Sequence, residues 1–376
     1  MTSKYIEIPA AYVRGGTSRA VLFQASDLPE SRSEWPAIFR RVLGSPDPSG
    51  RQLDGFGGGI SSLSKVAVLG PSVRPGCDVD YHFFQIEPKT GNVQTVATCG
   101  NIVSSVGPFA VEKGWAKDGG AASSVRIFDA NSGKTVIASF GDGSDSTQRI
   151  SIDGVPGEAP EIRLTFENPG GAVTGALFPT ALRTETLNVE SVGPIEVTLV
   201  DATLPTVVVR ATSVGLRGDE MPNELSSLPT LELMEKLRIA AGLRMGLSED
   251  PEVLRTELSN LPDVVVVSAT GEPGSIRARF FSGGAAHKAA PVTSSIALAC
   301  SCQVAGTVSA SLVSAAPAGA GRWDIRHPAG SMWVEVTGSP DGQSIESASV
   351  TRTTRLIMEG RVRLPGPMPS CRGTSK

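Results

Sequence analysis

The sequence has little of what marks the commonest specialised chains. Aromatic residues make up only 5% of its 376 positions, and histidine occurs three times. It has no long run of either charge, with 34 Lys and Arg against 38 Asp and Glu. That balance excludes the electrostatic footprint of a nucleic-acid binder or of a protein held on anionic membranes. No nicotinamide, flavin or metal motif is visible, so neither a cofactor nor a bound metal is expected. The opening MTSKYIEIPA lacks the apolar core of a signal peptide, and the cysteines, at 77, 99, 300, 302 and 371, are odd in number. Reduced thiols and a cytoplasmic location are the expectation. One long stretch, Ala289–Gly321, carries no charge, but Ser, Thr, Gln, Cys and Pro interrupt it throughout. It reads as a buried helix with its exit loop, not as a membrane span.

Glycine and proline, by contrast, are plentiful at 42 and 27, which suits many turns and short strands better than a helical bundle. The length allows two domains with a large core. Strands are expected at Tyr5–Ala10 and Ala20–Gln24, around a tight RGGTS turn, and then at 66–69, 79–86 and 93–97. Further strands are expected at 124–129, 135–139 and 149–152, with an amphipathic helix over Leu28–Leu43. Asn168–Gly175 reads as a crossing segment. The second half then repeats the order of elements: strands at 193–199 and 206–210, a helix over Leu231–Leu243, strands at 263–269 and 275–281, and a helix from about Val292 to Val304. No residue-level repeat accompanies this, so the duplication is one of architecture.

The chain is organised around 54–110. Gly55, Gly57, Gly58 and Gly59 run into Ser61, Ser62 and Ser64 and then a lone Lys65. This is not a phosphate loop, because Ile60–Ser64 separate the last glycine from the lysine and a strand, not a helix, follows. Most lysines are solvated. This one is flanked by small and apolar residues, and desolvation there would lower its pKa and suit it to act as a base. Cys99-Gly100-Asn101 then opens a segment with apolar residues at 102, 103, 106, 109 and 110, the spacing of a helix with one buried side. Pro108 must be tolerated near the middle of that helix or break it. The free N–H groups and dipole of a helix start stabilise a thiolate or hold a carboxylate, although a buried structural cysteine is the ordinary alternative. Cys300 and Cys302 lie inside the second helix, point to different sides and lack partners at metal-binding spacing, so they read as packing.

Over most of its length the chain resembles the PrpF-like isomerases, relatives of diaminopimelate epimerase that include methylaconitate, methylitaconate and 4-oxalomesaconate isomerases. The resemblance is carried by Tyr12 through Ser18 (YVRGGTS), Gly44 through Pro48 (GSPDP), Ser64-Lys65, Cys99-Gly100-Asn101 and Asn168 through Gly171 (NPGG). It continues through Val200 through Thr203 (VDAT), Ser282-Gly283 with His287-Lys288-Ala289, His327-Pro328, and Arg352 through Gly360. Two segments depart from the family's pattern: Leu204 stands where relatives have Asn, and SGGAAH replaces a Ser-Met-Gly-Lys turn.

The resemblance implies an α+β, diaminopimelate epimerase-like fold with two pseudo-symmetric domains, each a curved antiparallel sheet or barrel around a central helix. The expected domains are 1–185, carrying Lys65 and Cys99, and 186–362, with 363–376 returning to the first. It implies a cofactor-independent isomerase that shifts a double bond in a small unsaturated di- or tricarboxylate, with Lys65 and Cys99 as the acid/base pair. Substrate contacts are expected from Arg14, Thr17, Ser18, Ser64, Gly100 and Asn101 in the first half. In the second half they are expected from Ser282, Gly283, Gly284 and His287, the last placed at the second helix start. That helix start offers no second cysteine, which disfavours a symmetric two-thiol epimerase. The alternatives are a cis/trans or tailoring isomerase of a larger polyacid, and a non-catalytic carboxylate-binding partner of an aconitase-like enzyme. The expected ligand is a small polycarboxylate, with no nucleic acid and no membrane, and self-association, if any, is expected as a homodimer.

Overall fold

Gly16 turns the chain at φ +50° between β1 (Tyr5–Gly15) and β2 (Ser18–Gln24), so the RGGTS segment closes a hairpin whose register runs Gly15 to Ser18. The computed structural model describes residues 5–117, 123–141, 148–313, 320–339 and 344–366; Pro317 and Cys371 lie outside them. The first half continues with α1 (Trp35–Leu43), β3 (Lys65–Pro71), β4 (Val79–Ile86) and β5 (Val93–Gln94). After these come α2 (Gly100–Val103), α3 (Val106–Glu112), β6 (Ser123–Asp129), β7 (Lys134–Phe140), β8 (Arg149–Ile150) and β9 (Ala159–Glu167). The second half comprises β10 (Glu185–Val189), β11 (Gly193–Asp201), β12 (Pro205–Arg210), α4 (Pro222–Leu225), α5 (Leu228–Arg244) and α6 (Pro251–Thr256). It ends with β13 (Asp263–Ala269), β14 (Ser275–Ser282), β15 (Ala285–Ala286), α7 (Val292–Gln303), β16 (Ala320–His327), β17 (Gly330–Gly338) and the 21-residue β18 (Ile345–Pro365).

The two halves share one topology. In the first, β1-β2-β3-β4-β6-β7-β9 pair in the order antiparallel, parallel, antiparallel, parallel, antiparallel, antiparallel. In the second, β11-β12-β13-β14-β16-β17-β18 repeat that order step for step. β18 joins them: Ser347–Thr353 pairs with β9, and Thr354–Pro365 pairs with β1, which closes the first sheet into an eight-stranded ring. A central helix fills each sheet. Ile102, Val103, Val106 and Ala110 pack inside the first, and Ile296, Ala297, Leu298 and Cys300 inside the second, in one continuous core.

Valine-rich strands follow from this layering. Val208, Val265 and Val267 face the central core, while Val207, Val209, Val264 and Val266 face a second cluster beneath α5. Both faces are therefore dry, so the strand reads as a continuous apolar run and not as an alternation. At about 1.5–3 kcal/mol for each fully buried aliphatic side chain, these rows are a large favourable term. In the first half α1 covers the outer face in the same way, through Trp35, Ile38, Phe39 and Val42.

Three expectations change in detail. The helix over Leu28–Leu43 begins only at Trp35, behind two short 3-10 turns, with Pro36 in its first turn, where proline is tolerated. The strand over 93–97 stops at Gln94. The helix after Cys99 is broken at Ser104–Ser105, not at Pro108 itself. A proline at 108 cannot donate to the Ser104 carbonyl four residues earlier, and the chain tightens there, with Ser105 N–H bonding the Ile102 carbonyl at 2.9 Å. No described helix is long and apolar enough to cross a membrane.

Candidate active site

Lys65 is the first residue of β3 and is 8% exposed. The glycine-rich turn before it wraps around the buried Gln52. The Gln52 amide donates to Ser45 Oγ (2.8 Å) and Ser64 Oγ (2.7 Å) and accepts from Gly59 N–H (3.0 Å). A Cβ at Gly57 would overlap the Gln52 side chain, and Gly59 sits at φ +76°. The glycines thus serve a structural collar, and the Ser64 hydroxyl is part of it. Below the collar, Gln85 Nε2 donates to the Ser64 carbonyl (2.9 Å) while its Oε1 accepts from Lys65 Nζ (2.5 Å). The same Nζ lies 5.1 Å from the Phe83 ring centroid. Among the described residues no carboxylate is within salt-bridge distance of Lys65. Among the described residues its one side-chain hydrogen-bond partner is a neutral amide.

Cys99 caps α2 from an extended conformation and is 9% exposed. Its carbonyl accepts from Ile102 N–H (3.0 Å), Val103 N–H (3.1 Å) and the Tyr81 hydroxyl (3.5 Å). Burial, then the neighbouring Cys99 and Asp129, push the Tyr81 phenol well above its ordinary value. Tyr81, Phe83 and Gln85 share one face of β4, so a single strand edge runs from the thiol's residue to the lysine's partner. Gly100 lets the two central helices touch at their starts: a Cβ there would lie 2.5 Å from Val292 Cγ1. Asn101 latches the hairpin turn, donating to Thr17 Oγ1 at 3.1 Å, and Ser18 is buried beside it. Arg14 Nη1 is engaged by the Gly16 carbonyl and by Thr353, each at 3.0 Å, and so ties that turn to β18.

The second half repeats this arrangement with other residues. Thr203, in the β11–β12 turn, has φ +67° and bonds the Thr293 carbonyl in the first turn of α7 (3.1 Å), as the β1–β2 turn meets Asn101. Asp263 heads β13 as Lys65 heads β3, and it is buried, with Oδ2 accepting from the Ser294 hydroxyl and Oδ1 without a partner among the described residues. Burial raises its carboxyl to about 6, against Ser294, Ser282, the Lys65 charge and Arg238. Ser282 ends β14, and Gly283 and Gly284, both at positive φ, form the exposed turn to β15. His287 does not stand at the second helix start. It lies five positions before Val292, with its N–H on the Phe280 carbonyl (2.8 Å) and Pro291 as the cap of α7. Its Nε2 is buried without a partner, and burial, then the Lys65 charge, bring it down to about 4.

The Lys65 charge thus reaches both Asp263 and His287 of the second half. A cavity of about 300 Å³ is lined by Asn92–Ala97 and by Glu257, Leu258 and Leu261; Lys65, Cys99, Asp263 and His287 are not among its lining residues. Gln85 and Asp263 were not among the residues expected from the sequence. Asp263 had a readable signal, a lone charge at the head of a VVVV strand in the place Lys65 takes before VAVL. Among the described residues no cluster of three or more His, Cys, Asp or Glu could hold a metal.

Two barrel-like halves meeting at paired helix starts define the fold as diaminopimelate epimerase-like, an architecture that solved racemase and epimerase chains share. The chain belongs to the PrpF protein family, whose model matches residues 5–365. It is 34% identical to the 2-methyl-aconitate isomerase of Cupriavidus necator, over 96% of this chain and 98% of that one. It is also 34% identical to the (4E)-oxalomesaconate Delta-isomerase of Novosphingobium sp., over 94% and 96%. A solved methylitaconate-delta-isomerase superposes with a TM-score of 0.77 at 29% identity, covering 96% of this chain and 97% of that one.

Proposed function

We propose that the chain is a cofactor-independent isomerase that moves a carbon–carbon double bond along an allylic system in a small unsaturated di- or tricarboxylate. The observation that carries this is the Lys65 side chain, buried, bonded to a neutral amide and close enough to the second half for its charge to bear on Asp263 and His287. In this reading Lys65, as its free amine, removes a proton from carbon, and the Cys99 thiol gives one up at the far end of the allylic system. Such acid–base groups are typically worth about 100- to 10,000-fold each. Pro291 at the start of α7 supports one thiol and one amine over a two-thiol epimerase. The three relatives act, by name, on methylaconitate, oxalomesaconate and methylitaconate, and these share conjugated or allylic carboxylates.

The test is a screen of aconitate-like acids in heavy water, followed by proton NMR. Deuterium entering an allylic carbon together with a shifted double bond is the expected result. A panel in which neither happens contradicts the reading.

A further inference from the structure

Arg352 and Arg238 are both buried, and they are treated very differently by their surroundings. Arg238, 3% exposed, is satisfied on every side: Nη1 donates to the Leu258 and Leu261 carbonyls (3.0 and 2.5 Å), Nη2 to the Leu254 carbonyl (2.8 Å), and Glu235 neutralises it. Arg352, 7% exposed, has among the described residues one side-chain bond, from Nη1 to the carbonyl of its own neighbour Thr351 (2.8 Å). Its Nε is buried without a partner, and among the described residues no carboxylate is within salt-bridge distance. Removing a guanidinium from water is costly unless an anion and further acceptors compensate. An arginine kept only for structure would show the pattern of Arg238.

The position of Arg352 says what the missing partner is. It shares the inward face of β18 with Ala348 and Val350, which belong to the central core. Its Cδ lies 3.2 Å from where a Gly16 Cβ would stand, and Gly16 in turn abuts Asn101 in the first turn of α2. On another side is His327, 8% exposed, with Nδ1 accepting from Ala329 N–H at 3.2 Å. Burial brings His327 down to about 4, so it is neutral near pH 7 and does not compete for an anion. The Arg352 side chain thus lies against the Gly16 turn that Asn101 latches, at the end of α2 that carries Cys99.

We propose that Arg352 is the anchor for one carboxylate of the substrate, holding it by a forked, charge-assisted pair while the allylic carbons lie toward Lys65 and Cys99. A planar guanidinium matches a carboxylate in charge and in geometry. The assignment rests on the reading of the chain as a polycarboxylate isomerase.

The probe is propane-1,2,3-tricarboxylate, which has no double bond to move, titrated calorimetrically into the full chain and into Arg352→Met and Arg352→Lys. Hydrogen bonds to charged groups typically carry enough for a 10- to 100-fold effect, so Arg352→Met should weaken binding by about that factor and Arg352→Lys by less. In turnover the change should fall mainly on KM, since the contact holds ground and transition states alike. The ligand-free Arg352→Met chain should melt no lower than wild type, because it loses an uncompensated buried charge; a structural arginine would give a lower melting temperature. Unchanged affinity in a folded Arg352→Met, or no tricarboxylate binding by wild type, overturns the anchor. Should Arg352→Met fold poorly, Arg352→Lys decides by the same comparison. Failure of the isomerase reading looks different: tricarboxylate binding that depends on Arg352, with no exchange or isomerisation of any acid.

Discussion

Lys65 and Asp263 head corresponding strands in the two halves, and the lysine's charge bears directly on the aspartate's carboxyl. The parallel neighbours agree: β2 pairs with β3 from Val66 onward, and β12 pairs with β13 from Asp263 onward. A duplicated scaffold has thus placed a cation and an acid at equivalent points, close enough for the lysine's charge to oppose the rise in the acid's pKa.

Asp263→Asn tests this pair through pH. A carboxyl raised from 3.8 to about 6 binds its proton more tightly folded than unfolded. Its contribution to stability is therefore full below about pH 4 and is lost as pH rises through 6. Measured against Asp263→Asn, the melting temperature of wild type should fall between about pH 4 and about pH 7. A difference that stays flat across that window contradicts the assignment.

His287, half-buried, and the buried His327 act in the opposite sense. His287 and His327 are each lowered from 6.5 to about 4, mainly by burial, so they take up protons more readily when the chain unfolds. Stability is present above about pH 6.5 and lost as pH falls through 4. Replacing both by Gln should flatten the acid side of the stability profile, read by thermal melts across that range. An acid limb as steep as that of wild type would show that other groups control it.

Much of this scaffold is legible in the sequence, for a physical reason. The strands of the valine-rich runs and the two central helices follow from local pattern, and Lys65 and Cys99 stand out because a lysine among small residues and a cysteine before a helix are chemically conspicuous. What pattern does not carry is long-range pairing. Gln85 becomes the partner of Lys65 only through the β3–β4 register, twenty positions away. Nothing local in the glycine-rich turn shows that Gln52 lies inside it. The long β18, shared by both halves, is set by its three neighbouring strands and not by any repeat in its own residues.

Contact between the helix starts gives a packing test. Gly100→Ala places a Cβ 2.5 Å from Val292 Cγ1 and should destabilise by about 1–3 kcal/mol, as overpacked sites do. Val292→Ala in the same chain should recover part of that loss, measured by chemical denaturation of the single and double variants. Additive losses would mean that the two residues do not meet.

Cys300 and Cys302 are buried in α7, and burial pushes both thiols up, Cys302 to about 12. They are protonated and inert at neutral pH. Cys300→Ala and Cys302→Ala should leave kcat nearly intact, and native-state alkylation should spare both. A loss of turnover in a well-folded variant would give one of them a part in the chemistry.

The central claim is that Lys65 takes the proton from carbon while Cys99 serves the other end of the shift. The most direct measurement follows substrate deuterium exchange and product formation together, by NMR in heavy water, for Lys65→Ala, Cys99→Ala and Cys99→Ser. Lys65→Ala should abolish both exchange and isomerisation, a loss of at least about 100-fold. Cys99→Ala should keep exchange at the carbon facing Lys65 while product formation collapses. Cys99→Ser should exceed Ala only if the residue acts as a donor and not as a thiolate. A Lys65→Ala chain that exchanges and isomerises at near the wild-type rate would contradict the account.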